Sequence, residues 1–252
     1  MGLDPELFYK LGNTSLEAGA YDRAIEAYDQ AINLRPDFAE AFCNRGIARV
    51  GKGEYDRAIE DYDQGITLIP NSAEALFNRG LAYSQLRRYD RAIDDFDKVI
   101  KLEPGHAEAF YTRGNAHSGN GHYDRAIKDY DRAIGLKPNY AEAFNNRGNA
   151  HSCRGEYDSA IKDYDTAIKL DPDISEAFNN RGNAHSWKGE YDRAIQDLDE
   201  AIKLTPNYAE AFNNRGLTYS QMGHYGRAIQ DLDQAIKLRP DYPEAGVGHG
   251  RE

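Results

Sequence analysis

The stretch AEAFNNRGNAHS, Ala141–Ser152, returns 34 residues later as SEAFNNRGNAHS, Ser175–Ser186, with one residue changed. Between the two copies lies a second phrase, GEYDSAIKDYDTAIKLDPD at Gly155–Asp173, whose partner is GEYDRAIQDLDEAIKLTPN at Gly189–Asn207. Two phrases alternating at a fixed period describe one supersecondary unit copied along the chain, an array in which each unit packs on its neighbours. No residue inside such a phrase can be read as chemically special until its counterparts have been compared.

Laid out at this period, the chain gives seven contiguous units, residues 5–38, 39–72, 73–106, 107–140, 141–174, 175–208 and 209–242. Residues 1–4 form a lead, and the glycine-rich residues 243–252 are expected to be a flexible tail. Numbering each unit from one, position four is Phe or Leu, position eight is always Gly, position twenty always Ala, and position thirty-two always Pro. Positions four, eight and eleven share one face of an α-helix, and the second half repeats apolar residues at i, i+3, i+4, i+7 and i+8. Each unit is therefore predicted to be a hairpin of helix A and helix B, closed by a proline that cannot continue helix B. The glycine at position eight is expected to face the alanine at position twenty. Small residues at positions three and ten of helix A, such as Ala143 and Ala150, are expected to allow close approach to the next unit.

These offsets resemble the tetratricopeptide repeat, whose 34-residue signature places an aromatic, Leu-Gly, Tyr, Ala, Phe and Pro at the same places. The resemblance covers residues 5–242 and implies an all-α fold, a right-handed α-solenoid of helix-turn-helix hairpins with helix A facing the concave side. One departure is consistent. The Leu that precedes the glycine in the family is Leu11 in the first unit only, and elsewhere it is Arg45, Arg79, Arg113, Arg147, Arg181 and Arg215. Such an arginine can lay its stem on apolar surface and direct its guanidinium to a carboxylate, with the Asp rows at positions 18, 23 and 25 as candidates.

The formal net charge of −11 argues against a surface that tracks nucleic-acid phosphates and favours a basic or neutral protein partner. Cys43 and Cys153 fall three units apart, too far for a disulfide, which suits a reducing compartment. The start MGLDPELFYK lacks a secretory pattern, and no apolar run approaches the roughly 20 residues that span a bilayer. A cytoplasmic protein without membrane contact is expected.

An enzyme needs a constellation that does not repeat, and none is present, so neither catalytic residues nor cofactors are expected. His117, His151 and His185 occupy one repeat position directed at the A–B core, and successive hairpins lie too far apart to share a metal. The paired aspartates of the DYD phrases, such as Asp129 with Asp131, stand i, i+2 on a helix and point apart. They are expected to belong to a solvated acidic convex face.

Asparagine is the unusual feature of helix A. Position six holds Asn44, Asn78, Asn146, Asn180 and Asn214; position nine adds Asn115, Asn149 and Asn183; position five adds Asn145, Asn179 and Asn213. Asparagine is a mediocre helix former, so helix stability does not ask for it, whereas its amide can both donate to and accept from an extended peptide backbone. Positions two, five, six, nine and thirteen are expected to line the concave face. The position-six row is similar to the asparagine ladder in the repeat region of O-linked N-acetylglucosamine transferase, a resemblance that implies capture of a peptide backbone; no catalytic domain of that kind is present. The carboxylate clamp of co-chaperone repeat domains is matched in its asparagines but not in its basic half, because position two is Glu in every unit, from Glu6 to Glu210. The expectation is a non-enzymatic scaffold that holds an extended polar or basic peptide. Two alternatives are end-to-end self-assembly through Ile229, Leu232 and Ile236 of a poorly capped last helix, and service as an accessory module to a separate enzyme.

Overall fold

The computed structural model describes residues 4–240; the tail at 243–252, most of the lead and the last two residues of the seventh unit lie outside them. Fourteen helices follow in tandem among the described residues. The A helices are α1 (Pro5–Glu17), α3 (Ala39–Gly51), α5 (Ala73–Gln85), α7 (Ala107–Gly119), α9 (Ala141–Cys153), α11 (Ser175–Trp187) and α13 (Ala209–Gln221). The B helices are α2 (Tyr21–Leu34), α4 (Tyr55–Leu68), α6 (Tyr89–Leu102), α8 (Tyr123–Leu136), α10 (Tyr157–Leu170), α12 (Tyr191–Leu204) and α14 (Tyr225–Leu238). Each A–B pair is the predicted hairpin. Its tight turn uses a left-handed residue at position fifteen, glycine in six repeats and Arg87, at φ 56°, in the third.

The helices group into two compact units that divide after Leu136. Within each, every B helix packs on its own A helix, and every B helix except the last of that unit, α8 in the first and α14 in the second, also packs on the A helix that follows it. Consecutive A helices also touch, whereas among the described residues consecutive B helices do not, so the A layer lies on the inner side of each unit. This ordering places helix A side chains where a bound segment could meet several repeats at once.

The small residues do what close packing requires, with two corrections. A Cβ on Gly114 would lie 2.7 Å from the Tyr130 ring, and Gly12, Gly46, Gly80 and Gly148 are covered in the same way by the ring at position twenty-four. The glycine therefore accommodates that ring, not the alanine at position twenty. Where Leu198 and Leu232 replace the ring, the Ala194 or Ala228 carbonyl oxygen is among the nearest atoms as well, at 3.0 and 3.1 Å. The alanines at positions three and ten pack on the preceding repeat, not the following one: Ala184 clusters with Ala160 and Tyr164, and Ala211 with Leu198 and Ala201.

The arginines tie successive repeats together. Arg181 donates from Nε and Nη2 to the two oxygens of Asp197 at 2.9 and 2.6 Å, and from Nη1 to Asp165 of the preceding repeat at 2.6 Å. Arg45, Arg79, Arg113 and Arg215 repeat this fork between position 23 of their own repeat and position 25 of the one before. Each guanidinium with a phenylalanine three residues earlier lies over it, as Arg181 does at 5.5 Å from the Phe178 ring centre. Burial works against the charge of Arg79, but its hydrogen bonds to Asp95 and Asp63 outweigh that and raise its pKa. The two aspartates of the DYD phrases at 61–63 and 163–165 do point apart, each to a different arginine. The expected solvated acidic face is corrected, however, because the first of the pair is buried at Asp61, Asp95, Asp129, Asp163, Asp197 and Asp231. Position 18 takes no part: Asp22 and Asp158 pair instead with Lys52 and Lys188 of the next repeat.

The first repeat shows that arginine and buried aspartate form one element, for Leu11 stands there with Ala27 at position 23. Arg181→Leu is expected to destabilise by about 3 kcal/mol, since it strands a buried carboxylate. Arg181→Leu combined with Asp197→Ala, which reproduces the first repeat, should recover most of that loss in urea denaturation.

Candidate functional site

On the inner helices of the second unit, asparagine amides are joined in a chain. Asn214 Nδ2 donates to Asn179 Oδ1 at 3.0 Å, and Asn179 Nδ2 donates to Asn180 Oδ1 at 3.2 Å. Asn180 Nδ2 then donates to Asn145 Oδ1 at 3.2 Å, and Asn145 Nδ2 donates to Asn146 Oδ1 at 3.3 Å. The chain zigzags between positions five and six across α13, α11 and α9. Position five was expected on the open face, but Asn145, Asn179 and Asn213 are buried, Asn179 to 1 % exposure. A helix turns roughly 100° per residue, so position five looks sideways at the adjacent A helix while position six stays half-buried at the surface.

Position nine has a different partner. Tyr130 and Tyr164 donate their hydroxyl protons to Asn115 and Asn149, each at 2.8 Å, and Tyr28 does the same to Asn13. Burial, then the neighbouring Tyr9, pushes the Tyr28 phenol up to about 12, which keeps it a donor. In the sixth repeat Leu198 replaces the tyrosine, and Asn183 has no hydrogen-bond partner among the described residues.

The first unit is less regular. Asn44 spends its NH₂ group on the Tyr9 hydroxyl and on Asn13 Oδ1, at 3.1 and 3.0 Å. Asn78 has no partner among the described residues, because positions five and nine of the preceding repeat are Cys43 and Ile47. Thr112 interrupts the position-six row and turns its hydroxyl to Glu108 and Ala109 carbonyls of its own helix. The Glu row at position two is exposed at the start of each A helix, including Glu142, Glu176 and Glu210.

The histidines serve the hairpin turns. His151 and His185 meet Glu156 and Glu190 through Nδ1 at 2.6 and 2.8 Å. Lys188, then His185 and Arg193, hold the Glu190 carboxyl down at about 2. In the fourth repeat His122 stands where that glutamate should be; His117 Nδ1 is left buried without a partner, and burial lowers the ring's pKa. Among the described residues no group of acidic, His and Cys side chains is arranged to hold a metal ion, and no helix is long and apolar enough to cross a membrane.

Models of the tetratricopeptide repeat match residues 73–106, 107–140, 141–174 and 209–242, and related repeat models match 12–53, 48–87, 163–196 and 188–223. No curated protein matches the sequence. Among solved structures, a tetratricopeptide repeat protein from Parabacteroides merdae is 20% identical with a TM-score of 0.78, and each chain is covered to 93%. YrrB, described as a repeat protein of this kind with an unusual peptide-binding site, is 26% identical with a TM-score of 0.61, covering 75% of this chain and 97% of its own. MamA is 27% identical with a TM-score of 0.63, covering 68% of this chain and 94% of its own.

Asn179→Ala removes an acceptor from Asn214 and a donor from Asn180 in a buried site, and is expected to cost about 1–3 kcal/mol in urea denaturation. Asn183→Ala, which breaks no such bond, should stay within about 0.5 kcal/mol of the parent.

Proposed function

This chain belongs to the tetratricopeptide-repeat family, and from that premise we propose that it is a non-enzymatic scaffold holding an extended polar or basic peptide along the inner face of its A helices. The observation that carries the reading is the asparagine chain. An asparagine amide offers two N–H donors and an oxygen with two lone pairs. Asn180 commits one donor to Asn145 and one acceptor site to Asn179, so it keeps one of each for a ligand. The contacts that hold it also fix which end of the amide points where, and ordering before binding lowers the entropy lost on binding.

The spacing suits a peptide backbone. Packed helices stand roughly 8–10 Å apart, and an extended strand advances about 3.3 Å per residue, so successive position-six amides meet about every third peptide residue. A backbone read in this way tolerates many side chains, while the exposed Glu row favours basic ones and disfavours a C-terminal carboxylate. YrrB, with its peptide-binding site, supports peptide capture as a use of these repeats. His151 and His185 are engaged with turn glutamates, and Asp163 and Asp197 with arginines.

End-to-end self-assembly meets an obstacle. Ile229 and Ile236 of α14 are 59% and 50% exposed, but Asp233 beside them occupies position 25, which at Asp29, Asp63, Asp97, Asp165 and Asp199 receives an arginine from the following A helix. A second copy would present Leu11 there.

The triple variant Asn146→Ala, Asn180→Ala, Asn214→Ala should lose at least tenfold in capture on a random peptide array while retaining its far-ultraviolet circular dichroism. Capture equal to that of the parent would overturn the asparagine reading.

A further inference from the structure

Three positions that are regular elsewhere change together around one cavity in the first unit. Position twenty-seven is alanine or valine in six repeats and glycine only at Gly65. Position thirty-one is Arg, Glu, Lys, Asp or Thr in six repeats and aliphatic only at Ile69. Position five is an aromatic or asparagine except at Cys43. Substitutions that drift after duplication have no reason to meet in space, yet all three line a cavity of about 260 Å³ between α3 and α5.

The cavity is kept open by absence of a side chain. A Cβ on Gly65 would sit 2.5 Å from Cys43 Sγ, so the alanine used elsewhere would fill the gap or displace the thiol. Tyr9 and Ile69 add apolar wall, with Ile69 left 43% exposed. Glu40 and Glu74 also line it, with Asn44 and Ser72 among its other walls; both glutamates are exposed and neither has an ion pair or hydrogen bond among the described residues. Their counterpart Glu6, in contrast, is paired with Arg35 at 2.9 Å. Burial, followed by Glu74 and Glu40, pushes the Cys43 thiol up to about 11, so the sulfur wall is uncharged at neutral pH.

We propose that this cavity takes one cationic side chain, lysine or arginine, of a bound polypeptide, with the stem against Ile69 and Tyr9 and the charge between Glu40 and Glu74. Lysine and arginine are the side chains that join an apolar stem to a charged head. An apolar side chain in the same place would strip water from two carboxylates and give them no partner. The proposal deepens the peptide-scaffold reading, on which it rests for the polypeptide that delivers the side chain.

Cys43 supplies a probe that needs no peptide. In Cys153→Ser protein it is the remaining thiol, and its rates with aminoethyl, sulfonatoethyl and methyl methanethiosulfonate can be followed by intact mass. The cation-to-anion rate ratio at Cys43 is expected to exceed that at Cys153 in Cys43→Ser protein by at least tenfold. Glu40→Gln with Glu74→Gln should bring it down to the Cys153 value, the neutral reagent correcting for changes in thiolate content. Equal ratios at the two cysteines would overturn the proposal. On the random peptide array, the same pair of substitutions should abolish enrichment of Lys and Arg at one peptide position while capture itself persists; enrichment that survives them also overturns it. Failure of the asparagine variants to reduce capture would count against the backbone-reading scaffold alone, because the thiol rates are measured without peptide.

Discussion

The arginine fork at position seven is the interaction on which the array depends. Arg45, Arg79, Arg113, Arg181 and Arg215 each join a buried aspartate of their own hairpin to a half-exposed aspartate of the hairpin before, so one side chain sets both the A–B packing and the step to the neighbour. A family leucine at that place would supply packing without direction. An ion pair in a partly buried site adds direction at the cost of removing charges from water, and that cost is tolerable only with good geometry. The bidentate fork and the phenylalanine beneath it provide that geometry. The net negative charge of the chain follows in part from the same device, since each arginine is matched by two aspartates.

Much of this was legible in the sequence because the chain states its pattern seven times. The period, the hairpins, the turn glycines and the arginine departure can all be read from position-by-position comparison. Choosing among three aspartate rows needed the structure: position 18 lies in the first turn of helix B, beside the hairpin turn, where Asp22 and Asp158 reach a lysine at position fourteen of the next repeat. A clue was nonetheless present, for Ala27 replaces the aspartate in the one repeat where Leu11 replaces the arginine. Position five was harder. One residue beyond the core position it lies between the packed and open faces, and only the neighbouring A helix decides that Asn179 is buried. The Gly65 cavity was not legible, because a glycine, a cysteine and an isoleucine far apart in the repeat look like drift until they are found together.

Packing and function meet in the asparagine chain. Asn180, which links α11 to α9, is also the side chain that keeps a donor and an acceptor at the inner face, so on the proposed reading the order that stabilises the stack would also arrange the face offered to a peptide. Irregularity has the opposite use. Where the first unit departs from its own repeat, it forms a cavity that can distinguish one side chain among many.

Backbone reading is the central claim, and it separates peptide chemistry from peptide sequence. Fluorescence anisotropy with one array-selected peptide, its scramble with basic residues held in place, and the parent sequence N-methylated at alternate amides tests it directly. The account predicts that the scramble binds within a few-fold of the parent and that N-methylation weakens binding at least tenfold. Unchanged affinity on N-methylation, or loss of binding by the scramble alone, would contradict it.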